Sequence, residues 1–198
     1  PWTGAQILVK EGASSPWRLE WSLGQGVVRV AAMASLVFTT DGRGNKLSAP
    51  VRMLVASGED QDRNGLGIWI RDDNKGTWTR VDIAKTGKPD SCRALGLHHD
   101  AVTRIDRIFC GSSEGKVYSG VYDPSAPGRL SWNAQPELSG QPRSLAFTTT
   151  NKKLYVSLAN SLYQRTDGSR PSWKAVYTWK VPPGTRHDEM RGLTTVPH

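Results

Sequence analysis

Four arginines recur at comparable intervals along the 198-residue chain, each at the start of a short apolar run. They are Arg29, Arg93, Arg143 and Arg191. A guanidinium group binds a carboxylate, sulfate or phosphate through two parallel N–H donors. If the four side chains meet at one end of the fold, they form a binding site for an anionic ligand. The alternative is that each arginine binds backbone carbonyl groups or a neighbouring acid at the rim.

A second candidate site is the segment 60–65, DQDRNG, which places oxygen-bearing side chains at alternate positions before a glycine. The candidate calcium ligands are Asp60, Asp62 and Asn64. Side chains with this spacing wrap one hard cation in calcium loops. The twelfth position holds Arg71, where an EF-hand has an acidic ligand, so a solvated acidic turn is the competing interpretation. No other cofactor is predicted.

Histidine and cysteine supply two further possibilities. His98, His99 and Asp100 are consecutive, and neighbouring strand residues point to opposite faces, which favours a role at the rim over a shared zinc ion. Cys92 and Cys110 are predicted to lie on adjacent strands. Because directly opposed cross-strand disulfides are strained, two free, buried thiols are expected.

The elements that position these residues form a repeat. Residues 143–177 contain four runs of strand length separated by polar turns, and the same pattern recurs at 27–83 and 92–133, with partial copies at 1–21 and 190–198. A tryptophan marks each fourth run, and a bulky residue lies near the start of each third run. The marker residues are Trp17, Trp78, Trp132 and Trp173, and Leu8, Trp69, Tyr118 and Tyr163. Four-stranded units repeating every roughly 40–50 residues predict a β-propeller, with the tryptophans packed between blades.

The predicted fold class is therefore all-β, and residues 1–198 form a single propeller domain of about four blades or part of a larger propeller. A closed small ring would pair the last predicted strand with the first sheet. We favour a fragment of a propeller with about six or seven blades, because the closing blade would otherwise lack a second strand. A β-sandwich would not explain why arginine and tryptophan recur in phase. First strands line a propeller's channel, so the arginines are expected around one mouth of it.

Net charge and composition limit the classes of ligand that the sequence predicts. The net charge of +8 favours polyanions such as acidic glycans, although no block of Lys and Arg typical of a nucleic-acid-binding arm is present. No membrane span is predicted, because even the most apolar stretch, 27–38, contains Arg29. The sequence opens on PWTGAQ, without a visible signal peptide or an initiator Met, which is consistent with a processed or excised segment. The compartment stays open, and a secreted, extracellular protein is the working expectation.

Two segments resemble the Asp-box hairpins of sialidase-like propellers, GIWIRDDNKGTW at 67–78 and SLYQRTDGSRPSW at 161–173. The matching residues are Asp73, Gly76 and Trp78 in the first, and Asp167, Gly168 and Trp173 in the second. The resemblance implies a propeller in which these hairpins are structural: the Asp caps turn N–H groups, the Gly adopts positive φ and the Trp packs beneath. Sialidases also bind a substrate carboxylate with an arginine cluster.

The resemblance would further require a Tyr–Glu pair and an Asp acid for catalysis, and no convincing set is found. The tyrosines fall mainly on the second to fourth strands of the repeat, and no glutamate has an obvious Tyr partner. We therefore predict a non-catalytic binding module for a glycan or other anionic ligand, at the channel mouth or at a rim formed by loops 40–50, 84–91, 123–129 and 179–188. The alternatives are a sialidase-like glycoside hydrolase and a protein-interaction scaffold.

Overall fold

A computed structural model describes residues 4–24, 26–62, 65–72, 76–83, 92–126, 129–140, 145–150 and 152–180. These residues form β-strands joined by turns and loops. The strands are β1 (Gln6–Val9), β2 (Arg18–Ser22), β3 (Arg29–Thr40), β4 (Lys46–Glu59), β5 (Gly65–Asp72), β6 (Trp78–Ile83), β7 (Cys92–His99), β8 (Asp106–Ser112), β9 (Lys116–Tyr122), β10 (Arg129–Trp132), β11 (Leu138–Ser139), β12 (Leu145–Thr150), β13 (Lys153–Leu158), β14 (Ser161–Thr166) and β15 (Ser172–Thr178). Within the described part of the chain, no helix has the length and apolar character needed to cross a membrane.

Consecutive strands pair antiparallel within each of four groups. We name the groups sheet I (β1–β2), sheet II (β3–β6), sheet III (β7–β10) and sheet IV (β12–β15). The short β11 adds to β9, and β6 and β10 pair in parallel over two residue pairs, which joins sheets II and III at their fourth strands. The predicted all-β class is confirmed.

Alternation along the strands explains why the sheets stack. In β8, Ile108 and Cys110 face a cluster shared with sheet II, while Phe109 between them faces a cluster shared with sheet IV. All three side chains are fully buried. Burying an apolar side chain of this size contributes about 1.5–3 kcal/mol, so a strand that is apolar at consecutive positions is stable only between two other layers.

Three apolar clusters lie between successive sheets. The first joins sheet I to sheet II through Ile7, Trp69 and Trp78. The second joins sheets II and III, and the third joins sheets III and IV through Phe109 and Leu154. The first strands β3, β7 and β12 lie next to one another, so their ends meet in space although they are far apart in sequence.

The predicted burial of the fourth-strand tryptophans holds for three of the four. Trp78 and Trp132 are buried, and Trp173 is half-buried against Phe109. The prediction is wrong for Trp17, which precedes β2 and is 65% exposed. Its side of sheet I is open to solvent.

The prediction of free thiols is also wrong, because Cys92 and Cys110 form a disulfide, with Cα atoms 5.2 Å apart. A β-bulge between Cys92 and Ala94 shifts the register, so that Cys92 lies opposite Ser112 and Cys110 lies opposite Leu95. The cysteines are therefore diagonal neighbours. Strain between directly opposed cysteines does not apply to this arrangement.

The loop predicted at 40–50 is shorter than expected, because β4 already begins at Lys46. Asp41 closes the turn: its Oδ1 accepts hydrogen bonds from the backbone N–H groups of Arg43 at 2.9 Å and Asn45 at 2.8 Å. Hydrogen bonding from the Asn45 side chain lowers the pKa of Asp41. Gly44 has φ +86°, a left-handed conformation that glycine adopts without steric cost. The result is a tight hairpin.

Candidate functional site

A cavity of about 960 Å³ opens where the first strands of sheets II, III and IV end. The strands contribute Thr39, Thr40, His98, His99 and Thr149, and the adjoining turns and the start of β4 contribute Gly44, Asn45, Lys46, Ala101, Arg104 and Lys152. A volume of this size is typical of small-molecule sites. The lining comes from three successive sheets, so it exists only because the sheets stack.

Hydrogen bonds between the sheets hold these strand ends together. The carboxylate of Asp106 in sheet III accepts bonds from the backbone N–H of Thr40 at 2.8 Å and the hydroxyl of Thr39 at 3.0 Å, both in sheet II. The hydroxyl of Thr149 in sheet IV donates to the carbonyl of Leu97 in sheet III at 3.2 Å. The walls of the cavity are thus tied to each other by direct contacts.

The charged groups of the lining are cationic. Lys46, Arg104 and Lys152 are exposed, and no Asp or Glu occurs among the described residues that line the cavity. Arg104 and Lys152 have φ of 59° and 60°. Left-handed backbone is uncommon for residues other than glycine and costs of order 1 kcal/mol, and such strain concentrates at functional sites. Arg104 and Lys152, two of the three cationic residues, therefore lie in turns with a strained backbone.

His99 is oriented by Asp106. Its Nδ1 lies 2.8 Å from Oδ1 of Asp106, which is buried, while the His99 side chain is 46% exposed. A carboxylate that already accepts hydrogen bonds from Thr39 and Thr40 acts as an acceptor towards the ring, which assigns the proton to Nδ1. Nε2 is then the nitrogen that accepts a hydrogen bond in neutral imidazole and donates one in imidazolium.

A buried ionic network lies beside the cavity between sheets III and IV. The Arg165 guanidinium donates from Nη1 to Asp100 at 3.1 Å and to Asp167 at 2.8 Å, and from Nε to Glu137 at 2.8 Å. His98 Nε2 lies 2.8 Å from Asp167. An uncompensated buried charge is costly, so these partners are required for Arg165 to be buried.

Asp100 is the fully buried member of this network. Burial raises its pKa, but hydrogen bonds from the backbone N–H of Thr103 and from Arg165 outweigh that effect and hold the pKa at about 2. The carboxylate is therefore ionised at neutral pH. It ties the turn after β7 to the turn after β14, and so fixes one wall of the cavity.

The Asp-box-like hairpin at 161–173 takes part in the same contacts. Asp167 was expected to cap N–H groups of its own turn, but its described hydrogen bonds include one from the backbone N–H of Ala101 in sheet III, at 3.0 Å. In the hairpin at 67–78, Asp73 lies outside the described residues. Gly76 has φ +66°, and Trp78 is buried.

Two of the four arginines singled out from the sequence, Arg29 and Arg93, lie at the other end of the first strands. Arg29 and Arg93 both approach the buried Glu59, with Nε–O distances of 3.2 and 3.5 Å. Arg29 Nη2 also donates to the backbone carbonyls of Asp60 and Gln61, at 3.3 Å each. Arg143 and Arg191 lie outside the described residues. The structure thus places two of the four arginines, Arg29 and Arg93, beside the same carboxylate, that of Glu59.

The other predicted site residues have separate surroundings. Asp60 accepts a hydrogen bond from the backbone N–H of Asp62 at 2.9 Å, which is a local turn contact, and Asn64 lies outside the described residues. His98, His99 and Asp100 each bond to different partners. In the part of the chain that the structure describes, no group of three or more His, Cys, Asp or Glu residues is arranged to hold a metal ion.

Sequence reasoning missed the cationic lining of the cavity. Arg104 and Lys152 come from different turns and Lys46 from the start of β4, and the three residues share no motif. A usable signal was the polar pair that ends each of the strands β3 and β7, Thr39–Thr40 and His98–His99, since first strands that lie side by side end close together. The sequence of this chain matches no model of a known protein family and no curated protein.

Proposed function

We propose that the protein is a non-catalytic binding module that holds an anionic ligand, with an acidic glycan as the expected class, in the cavity at the ends of β3, β7 and β12. The observation that carries the proposal is the charge of the lining: Lys46, Arg104 and Lys152 are exposed, and the described lining contains no acid to neutralise them. The net charge of +8 attracts such ligands over longer distances.

We also propose that the sheets are blades of a propeller, one with the sialidase-like character that the two hairpins suggest. Sheets II, III and IV run in the same strand order, and their first strands lie side by side. In a propeller the cavity would lie at one mouth of the channel, and Arg29 and Arg93 would lie at the other. The Cys92–Cys110 disulfide supports an oxidising, extracellular location.

A hydrolase is less well supported than a binding module. Glycoside hydrolysis needs a pair of carboxylates, or a Tyr–Glu pair with an Asp acid in the sialidase scheme. The described lining supplies neither, since its ionisable side chains are Lys, Arg and His. His99 can accept or donate one hydrogen bond to a ligand, which is enough for recognition.

The test compares acidic with neutral oligosaccharides of equal length by titration calorimetry, on the protein and on a triple variant, Lys46→Gln, Arg104→Gln and Lys152→Gln. Exposed charge pairs contribute about 0.5 kcal/mol each, so the variant should bind the acidic ligand about tenfold more weakly. Added salt should weaken binding to the unchanged protein in the same direction.

The matched control is Lys174→Gln, which removes an exposed cation on β15, away from the cavity. It should leave the affinity unchanged. The proposal fails if the triple variant binds as tightly as the unchanged protein, or if acidic and neutral oligosaccharides bind alike. Turnover of the oligosaccharide would instead establish the hydrolase.

A further inference from the structure

Each of the three sheets around the cavity contributes the same two kinds of group to its lining. Near the end of each first strand lies a hydrogen-bonding residue without a fixed charge, and the chain that follows the strand supplies a cation. The three pairs are Thr39 with Lys46, His99 with Arg104, and Thr149 with Lys152. All six residues are exposed. A ligand in the cavity therefore meets hydrogen-bonding groups at the strand ends and positive charge around them.

The two threonine hydroxyl groups meet a ligand as hydrogen-bond acceptors. Thr39 donates its hydroxyl hydrogen to the carboxylate of Asp106 at 3.0 Å, and Thr149 donates to the backbone carbonyl of Leu97 at 3.2 Å. A hydroxyl group has one hydrogen to donate and two lone pairs that accept. Because the protein holds both hydrogens, each oxygen offers a lone pair to a ligand.

The imidazole of His99 has the same polarity. Its Nδ1 lies 2.8 Å from the Asp106 carboxylate, which holds the ring proton at that nitrogen, so Nε2 of the neutral ring is an acceptor. Asp106 is buried, and it binds Thr39 through Oδ2 and His99 through Oδ1. One buried carboxylate therefore takes the hydrogen of both groups and leaves an acceptor in each of two sheets.

A lining of this kind distinguishes among anions by more than their charge. An acceptor that loses its water to a ligand without receiving a donor costs free energy, and a site that hydrogen-bonds a hydroxyl group discriminates against an analogue that lacks it. No Phe, Tyr or Trp occurs among the described residues of the lining. Within that part of the lining, stacking on a sugar ring therefore does not replace these hydrogen bonds.

We infer that the cavity selects anionic glycans that keep free hydroxyl groups. The ligand's hydroxyls donate to Thr39, His99 and Thr149, while its anionic groups lie against the three cations. The same anion with its hydroxyls alkylated or esterified binds more weakly, even where its net charge is equal or greater. This inference rests on the proposed function, and it names the chemical feature by which the site chooses among acidic glycans.

The experiment is titration calorimetry at pH 8, where imidazole is ordinarily neutral, with two probes of equal charge: tetragalacturonate and the same tetrasaccharide with its hydroxyl groups methylated. The unchanged protein should bind the hydroxylated probe about tenfold more tightly than the methylated one. His99→Phe and Thr149→Val each remove one acceptor. Each should weaken binding of the hydroxylated probe about fivefold and leave binding of the methylated probe unchanged. Lys46→Gln is the matched control, because the loss of a cation should weaken binding of both probes by the same factor.

Two results overturn the inference while the proposed function stands: the two probes bind equally tightly, or His99→Phe and Thr149→Val weaken binding of both probes alike. If neither probe binds, the inference fails together with the proposed function. Circular dichroism checks that the variants fold. Because Thr149→Val also removes the hydrogen bond to Leu97, its result is read as the ratio of the two affinities, which a general loosening of the cavity would not change.

Discussion

Basic side chains lie at both ends of the first strands, but the two ends differ in whether an acidic side chain pairs with them. At the end where β3 and β7 begin, Arg29 and Arg93 share the buried carboxylate of Glu59. At the end where these strands finish, Lys46, Arg104 and Lys152 surround a cavity whose described lining has no acid. The recurring arginines therefore have structural partners in the two cases described, whereas the charge open to a ligand comes from two turns and the start of β4.

The largest effect that separates the two ends is expected from Glu59→Gln. Glu59 is 2% exposed and faces two guanidinium groups. Its removal leaves two guanidinium groups, each more than one-third exposed, without their carboxylate. We expect unfolding to require about 2–3 kcal/mol less, below the cost of breaking a fully buried pair. Urea titration measures the loss, and ligand affinity in the cavity should not change.

Glu11→Gln is the matched control for this prediction. Glu11 pairs with Arg18, but both side chains are more than half exposed, so its replacement should cost no more than about 1 kcal/mol. Equal losses in the two variants would show that the Glu59 cluster is not the buried structural contact described above.

Acid titration tests the buried ionic network beside the cavity, at the end where the first strands finish. The folded pKa of Asp100 is about 2, below its ordinary value of 3.8, so its contribution is fully present above about pH 4 and is lost as the pH falls through about 2. The shift corresponds to roughly 2 kcal/mol of unfolding free energy. Urea titrations between pH 2 and pH 5 measure it.

The comparison variant is Asp100→Asn, which removes the titrating group while keeping an acceptor oxygen. It should be less stable than the unchanged protein at pH 5, and its stability should fall less steeply below pH 4. Identical slopes in the two proteins would mean that Asp100 is not held ionised by Thr103 and Arg165. A loss of ligand affinity in this variant would show that the network also shapes the cavity wall.

The contrast between the ends also shows what the sequence can reveal. The strands were predictable because apolar runs bounded by turn residues are a local signal, as in β12–β15. The disulfide was not, because the bulge at Cys92 shifts the register by an amount that the residue types do not encode. The cavity was not predicted, because nothing in the sequence indicates that Arg104 and Lys152, which are not glycines, adopt positive φ. Their proximity also depends on how the sheets stack.

The smallest expected effect is that of Arg93→Gln, and it tests the contrast most directly. Arg93 is about one-third exposed and lies 3.5 Å from Glu59, which Arg29 approaches more closely. A partly exposed pair of this kind contributes about 1 kcal/mol or less. Titration calorimetry should find unchanged affinity for an acidic oligosaccharide, whereas Arg104→Gln at the other end should weaken it about two- to threefold. Weaker binding in Arg93→Gln alone would restore the arginines as the ligand site and leave the cavity cations as surface charge.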